Sequence, residues 1–215
     1  MPTGRRVWSL LIATVAGIVS CIIVGSAHAG TIIDEWASVK APSPPALKPV
    51  TIDPKTTALL MLDFNQQTCN PERRPRCTAS IPKVKPFLAA ARAAGVRVIY
   101  SLGGGGKPAD IPSDLTPAGN EPIVASGVDK FAGTDLEKLL KERGIHTVIM
   151  VGAASNGAVL YTASGAAMRG MKVIIPVDGV SADNLYAEQY AAWHLVNAPR
   201  ISESITLTTL DSITL

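Results

Sequence analysis

An aspartate directly follows a short, continuous apolar run, Thr57 to Leu62. Such a run is typical of a strand that is buried on both faces of a parallel sheet, so Asp63 should lie at the carboxyl end of a central strand. A carboxylate at that position can act as a general acid or base toward a bound molecule. The alternative is an aspartate that caps the following turn, and position alone favours neither.

A second candidate for chemistry is the small-residue turn that begins at Gly152 and leads into a helical pattern near Asn156. Small residues keep such a turn tight and expose backbone N–H groups at the start of the helix, where they can hold an anion or an oxyanion. The alternative is that small residues are needed there only for packing of the helix on the sheet. Ser155, within the turn, is predicted to cap the helix.

The elements that must position these residues alternate along the chain. Apolar runs predict strands at 57–62, 96–102, 147–151, 172–177 and 204–208. Helical patterns occur at 82–94, 134–143, 156–169 and 182–196. This alternation predicts right-handed βαβ units and an α/β fold of three αβα layers with a central parallel, Rossmann-like sheet. Ligands bind such sheets at the carboxyl ends of the strands, where Asp63 and the turn at Gly152 should lie.

Four features, in this order, resemble the isochorismatase-like, or cysteine hydrolase, family over about residues 57–209. They are the strand that ends at Asp63, the run Phe131-Ala132-Gly133-Thr134-Asp135-Leu136, the turn from Gly152 to Val159, and a strand that ends near Asp178 with Gly179-Val180-Ser181 after it. Amide hydrolases of this family use an aspartate, a lysine and a cysteine nucleophile. The resemblance assigns the aspartate to Asp63 and the cysteine position to Ala158.

The same resemblance gives the other site residues as expectations. Many members of the family carry the lysine near the position of Ala125, and Lys130 is the nearest lysine that could replace it. The alternative for Lys130 is a solvated lysine at the start of a helix. The residues expected to contact a substrate are Asn65, Ala154, Asn156 and Phe131.

Two functions remain open, because alanine cannot attack a carbonyl group. The first is an isochorismatase-like hydrolase that acts on a C–N amide-type or vinyl-ether bond of a small molecule without the cysteine, with Asp63 as the acid or base. The alternative is a catalytically inactive, exported small-molecule-binding pseudoenzyme. Vinyl-ether substrates of the family carry carboxylates, for which Arg73, Arg74, Arg76 and Lys107 are candidate partners. Solvated loop charge is the alternative for these four side chains.

The first 29 residues are predicted to be a signal peptide. An arginine pair at 5–6 precedes an apolar stretch from Val7 to about Val24, and Ala27-His28-Ala29 resembles a cleavage signal. The alternatives are a retained membrane anchor and a lipoprotein that is acylated at Cys21. Cleavage near Ala29 would give a secreted or periplasmic protein with no stable membrane insertion after processing.

The mature chain should then comprise an N-terminal arm at 30–56, whose prolines favour extended structure, and one domain at 57–215. Cys69 and Cys77 remain after cleavage and could close a small disulfide loop in an oxidising compartment. Two free thiols are the alternative. Both cysteines lie in a segment rich in proline and arginine, which is predicted to be a loop.

Composition narrows the class of partner. The net charge is only +3, from 20 basic and 17 acidic residues, and no basic stripe is interleaved with aromatic residues, so no nucleic-acid partner is expected. His146 and His194 have no ligand-spaced neighbours, so no metal and no other cofactor is expected. A small-molecule substrate or ligand is the expected partner, and the resemblance implies a homo-oligomer.

Overall fold

The computed structural model describes Met1, residues 30–103 and residues 105–215. The predicted signal peptide, apart from Met1, lies outside the described residues. The chain divides into two units, Met1–Pro42 and Ser43–Leu215. The described part of the first unit contains a 3-10 turn at Trp36–Ser38, in which Trp36 is exposed.

The second unit contains the domain. Its strands are β1 (Val50–Thr51), β2 (Thr57–Leu62), β3 (Arg97–Leu102), β4 (Ile123–Ala125), β5 (Thr147–Ala153), β6 (Lys172–Pro176), β7 (Val180–Ser181), β8 (Ile205–Thr208) and β9 (Ile213–Thr214). Its α-helices are α1 (Pro75–Ala93), α2 (Leu136–Lys141), α3 (Leu160–Met168) and α4 (Leu185–Asn197).

The main sheet is parallel throughout and has the strand order β4-β3-β2-β5-β6-β8, with β7 beside the end of β5. Helix α1 packs on one face of the sheet, whereas α2, α3 and α4 pack on the other. The predicted three-layer αβα fold with a central parallel sheet is therefore confirmed. Its two hydrophobic layers bury the apolar side chains of β2 and β5 on both faces, which is why these strands read as continuous apolar runs.

The register of β2 brings three strand ends together. Leu62, the last residue of β2, pairs with Ser101 of β3 on one side and with Gly152 of β5 on the other. Asp63 therefore leaves the sheet between the carboxyl ends of β3 and β5, where ligands bind in sheets of this kind.

Helix α1 begins at Pro75, seven residues before the predicted start at 82. Pro75 lies in the first turn, where its missing N–H costs no helical hydrogen bond. Pro82 and Pro86 lie inside the helix on its exposed side. A buried stripe at helical spacing continues past them, because Cys77, Ile81, Val84 and Leu88 all pack into the core. This packing outweighs the local preference of proline against a helix.

Cys77 thus belongs to the first turn of α1 and not to a loop. Its sulfur is bonded to that of Cys69, and the two Cα atoms are 5.4 Å apart. Both residues are buried. The disulfide joins the segment that follows β2 and Asp63 to the start of α1.

The short strands were not predicted. Strands β1, β4, β7 and β9 have only two or three residues, too few for a periodic pattern. Residues 48–52 lie within the predicted arm, yet they belong to the second unit, because β1 pairs in parallel with β9 and the amide of Lys48 donates to the Leu207 carbonyl. None of the described helices is long and apolar enough to cross a membrane.

Candidate active site

The centre of the site is a buried ion pair between Asp63 and Lys130. The Lys130 ammonium Nζ donates to Asp63 Oδ2 at 2.8 Å and to the Gly127 carbonyl at 2.7 Å. The Lys130 side chain is completely buried, and only 7% of the Asp63 side chain is exposed. A positive and a negative charge are therefore held in contact where little water can screen them.

Ser101 completes the environment of the carboxylate. Its hydroxyl donates to Asp63 Oδ1 at 2.6 Å, and the Asp63 amide donates to the Ser101 carbonyl at 3.2 Å. Each carboxylate oxygen of Asp63 thus has its own donor. Asp63 also has a φ of 54°, which is uncommon for a residue other than glycine. Residues held in such conformations cluster at functional sites, so the backbone supports the choice of Asp63.

Lys130 reaches the pair from the loop between β4 and α2. The Lys130 amide donates to the Thr162 hydroxyl at 3.2 Å, and that hydroxyl donates to the Val128 carbonyl at 3.3 Å. Because Thr162 lies in α3, these bonds fasten the lysine-bearing loop to the helix. Helix α2 begins only at Leu136, so Lys130 is not a solvated lysine at a helix start.

Gly103 leaves space for the ion pair because it has no side chain. A Cβ atom built on Gly103 would lie 2.5 Å from Asp63 Oδ2 and 3.3 Å from Lys130 Nζ. Both distances are shorter than ordinary van der Waals contacts. A glycine is therefore required at this point, because its backbone lies directly against the pair.

The turn after β5 is irregular. A π-helical turn spans Ser155–Val159, and α3 follows it; Gly157 has non-helical dihedral angles. The carbonyl of Ala154 accepts from the amides of Gly157 and Val159 at 2.9 Å and 3.1 Å. Ala158 is buried, Ala154 is half-buried and Asn156 is exposed.

The predicted cap by Ser155 is wrong. Ala154 stands at the cap position and makes no side-chain cap bond. The Ser155 hydroxyl is buried and has no hydrogen-bond partner among the described residues. It lines a cavity of about 560 Å³ between the turn and α4, and neither Asp63 nor Lys130 lines that cavity.

Two of the predicted substrate contacts have other partners. Asn65 is completely buried: its Oδ1 accepts from the amides of Gln67 and Thr68 at 3.1 Å each, and its Nδ2 donates to the Gly103 carbonyl at 3.3 Å. Phe131 is buried in the core, with the Arg169 guanidinium 4.4 Å above its ring. These contacts give both residues structural roles, and their contact with a substrate stays a prediction.

The three arginines that were candidate carboxylate partners are engaged within the protein. Arg74 pairs with Asp183, and the Arg73 guanidinium lies 4.0 Å from the same carboxylate. Arg76 donates two hydrogen bonds of 2.6 Å and 2.7 Å to the Glu188 carboxylate. Asp183 and Glu188 lie around the start of α4. Among the described residues, no cluster of histidine, cysteine, aspartate and glutamate side chains is arranged to hold a metal ion.

Residues 57–208 match the sequence profile described as "Isochorismatase domain". The chain belongs to the isochorismatase family of hydrolases. Streptothricin hydrolase from Streptomyces noursei is 28% identical over 187 residues, which are 79% of this chain and 65% of that protein. A secreted isochorismatase effector from Verticillium dahliae is 28% identical over 144 residues, 61% of this chain and 76% of its own length.

A solved structure supports the fold. The crystal structure of a cysteine hydrolase from Pseudomonas syringae pv. phaseolicola 1448A superimposes with a TM-score of 0.67 at 22% identity, and the match covers 79% of this chain and 95% of that one. The chain spans less than two thirds of the length of the streptothricin hydrolase, but almost the whole of this structure.

Sequence reasoning missed Ser101. A weak signal existed, since Ser101 is a polar residue near the carboxyl end of the otherwise apolar stretch Val98 to Leu102. Connecting Ser101 with Asp63 requires the knowledge that β3 lies next to β2 in the sheet.

Proposed function

We propose that the protein hydrolyses a C–N amide-type bond of a small molecule without a cysteine nucleophile, with Asp63 as the acid or base. The observation that carries the proposal is the Asp63 carboxylate held between the Lys130 ammonium and the Ser101 hydroxyl. A buried ion pair loses much of its Coulomb energy to desolvation and is weak evidence of a stabilising role. A role in chemistry accounts better for a fully buried lysine.

In the proposed reaction, Asp63 takes a proton from a water molecule as the water oxygen bonds to the carbonyl carbon. The C–N bond then breaks, and the proton on Asp63 passes to the leaving nitrogen, which gives an acid and an amine. The Lys130 ammonium holds the Asp63 carboxylate in place through its 2.8 Å contact with Oδ2. Backbone N–H groups at the start of the turn after Ala154 lack helical partners and would hold the developing oxyanion.

Water is the proposed nucleophile because Ala158 stands where the family's amide hydrolases carry cysteine. The Ala158 methyl group cannot form a covalent intermediate. Asp63 and Lys130 do not depend on that thiol for their own contact, so acid–base chemistry is compatible with the alanine. We therefore assign the chain to a branch of the family that lacks the cysteine.

The ion pairs of the three arginines favour a neutral substrate. Arg73, Arg74 and Arg76 already pair with Asp183 and Glu188, so they have little capacity to bind the carboxylates of a vinyl-ether acid. The Asp63–Lys130 pair is itself neutral overall. A neutral amide or ureide would require no new charge to be buried, which is why the amide-type bond is preferred over the vinyl ether.

A hydrolysis screen tests the proposed function directly. The panel would contain small neutral amides, ureides and vinyl-ether acids, each incubated with the protein and followed by mass spectrometry. Turnover of an amide or ureide supports the proposal. Turnover of vinyl-ether acids alone would overturn the bond class while leaving acid–base chemistry in place.

The second candidate is an inactive small-molecule-binding protein, and Ala158 is the observation that favours it. A screen without turnover, combined with ligand-induced thermal stabilisation, would support this candidate. The neutral members of the same panel serve as ligands for the thermal measurement.

Replacing Ala158 by cysteine distinguishes a disabled hydrolase from a cysteine-independent one. If the surrounding residues still suit the family's thiol chemistry, A158C should gain amide hydrolysis that iodoacetamide abolishes. The protein used is residues 30–215, which lack Cys21, and their other two cysteines, Cys69 and Cys77, are bonded to each other. A158S is the matched control, since its hydroxyl is similar in size but a much weaker nucleophile. Equal rates for the two variants would show that the thiol is not used.

Replacing Gly103 by alanine should reduce turnover about 100-fold, because the new Cβ would push the Asp63 carboxylate from its position and a displacement of about 1 Å can cost that much. The fold should be preserved, since the clash is with side-chain atoms. Steady-state kinetics and a melting curve check both parts. Gly119→Ala is the matched control, because nothing lies within 4 Å of its Cβ position. Equal kcat/KM for the two variants would contradict the proposed geometry.

Export and self-association complete the proposal. The buried disulfide supports an oxidising compartment, and a relative that is named a secreted effector agrees with export after cleavage near Ala29. A homo-oligomer is supported by exposed apolar side chains on α4, namely Leu185, Tyr186, Tyr190 and Trp193.

A further inference from the structure

A basic cavity lies at the amino ends of the central strands, whereas Asp63 lies at their carboxyl ends. It has a volume of about 540 Å³ and is formed by residues that precede or begin β2, β3 and β5, together with a loop before β4. Its charged lining residues are Lys55, Arg92, Arg97, Glu121 and Arg143. None of the residues of the candidate active site lines it.

The acidic residue in the cavity lining, Glu121, already forms an ion pair with Arg92. Both carboxylate oxygens of Glu121 accept from the Arg92 guanidinium, at 2.8 Å and 2.7 Å, and one of them also accepts from the Ala118 amide at 2.7 Å. Arg92 and Glu121 therefore cancel each other. Three positive charges remain, those of Lys55, Arg97 and Arg143.

These three cations lack internal counter-charges. None of them takes part in an ion pair within the part of the chain that the structure describes. The acid beside Lys55 in sequence is Asp53, whose carboxylate accepts from the Lys55 amide and the Thr56 hydroxyl. Glu142, beside Arg143, lies 4.0 Å from Lys138 instead.

Arg97 supplies an independent sign that an acceptor is needed. Its Nε atom is buried and has no hydrogen-bond partner among the described residues. A buried N–H group without an acceptor costs free energy comparable to a lost hydrogen bond. An anion in the basic cavity would provide a counter-charge for the Arg97 guanidinium.

We propose that the basic cavity binds a small, soluble polyanion that carries at least two negative charges on phosphate or carboxylate groups. Several positive charges that line a concave surface add to one another's electrostatic field and raise the local concentration of anions. Guanidinium groups suit this role because they donate two parallel hydrogen bonds to either group. The neutral amide of Asn120, also in the lining, can donate to a further oxygen. The proposal does not depend on the proposed hydrolase activity.

Isothermal titration calorimetry with inorganic pyrophosphate and with citrate tests the proposal and distinguishes phosphate from carboxylate. We expect saturable binding of at least one probe with one site per chain, weakening as salt rises. The test variant is the double substitution Lys55→Gln and Arg143→Gln, since both side chains are exposed and their loss should not disturb the fold. It should weaken binding at least about tenfold, because hydrogen bonds to charged groups are the strong ones.

Lys85→Gln is the control, since it removes an exposed positive charge on α1 that pairs with Asp114. It should leave the affinity unchanged. The absence of binding at low salt, or equal affinities for the control and the double variant, would overturn the proposal. Binding to vesicles of anionic phospholipid without binding of either probe would also overturn it, because the occupant would then be a membrane surface.

Discussion

Replacing Asp63 by asparagine is expected to lower kcat/KM by about 10²- to 10⁴-fold, the usual contribution of a general acid or base. Asparagine keeps the shape of the side chain and can still accept from the Ser101 hydroxyl, but it cannot take a proton from water. It also removes the partner of the Lys130 ammonium, which makes a 2.8 Å contact with Asp63. Steady-state kinetics on the substrate found in the screen measures the effect.

Stability must be separated from chemistry in this experiment, because an unpaired buried charge is destabilising by about 3–5 kcal/mol. The double variant Asp63→Asn with Lys130→Met removes both charges and should recover much of that stability while remaining inactive. Asp114→Asn, an exposed partner of Lys85, is the matched control and should keep full activity. Turnover by Asp63→Asn within about threefold of the unmodified protein would rule out acid–base chemistry at Asp63.

Replacing Gly152 by alanine should destabilise the fold by about 4 kcal/mol or more, an exceptional loss for a single substitution. Gly152 has a φ of 125°, and a Cβ atom there would lie 1.9 Å from the Leu62 carbonyl oxygen. The obstacle is the backbone of the neighbouring central strand, so no side-chain rotation can relieve it. Urea unfolding followed by circular dichroism measures the free energy of unfolding.

Gly119→Ala again provides the comparison, with an expected change within about 0.5 kcal/mol. A loss below about 1 kcal/mol for Gly152→Ala would mean that β5 can move away from β2 without cost. Such a result would contradict the pairing of Leu62 with Gly152 on which the geometry of the site depends.

The central strands could be predicted because burial on both faces leaves an unmistakable apolar run. Strand β2 has the predicted bounds, whereas β5 extends two residues further, through Gly152 and Ala153. The helix start at Pro75 could not be predicted in this way, since the stripe that carries α1 past two prolines is defined by tertiary packing. The two-residue strands depend on partners that are distant in sequence.

The site could be predicted only where one residue carries the signal. Asp63 follows from its position after a strand, and Lys130 was the nearest lysine to the position that the resemblance indicated. The Ser101 contact requires the register of β3 against β2, which a single sequence does not provide. The Asn65 side chain also holds the loop that follows Asp63, a role that depends on contacts which a single sequence does not show.

The disulfide has a consequence for how this part of the protein can vary in evolution. Cys69 and Cys77 close a covalent ring whose residues lie after Asp63 and Asn65 in the chain. A length change inside the ring leaves both of its anchored ends in position, and each added residue costs little loop-closure entropy. Insertions at the exposed residues 71–73, before α1 begins, should therefore be tolerated better than those between Asp63 and Cys69. Relatives could diversify the ring while keeping the aspartate in register with β3 and β5.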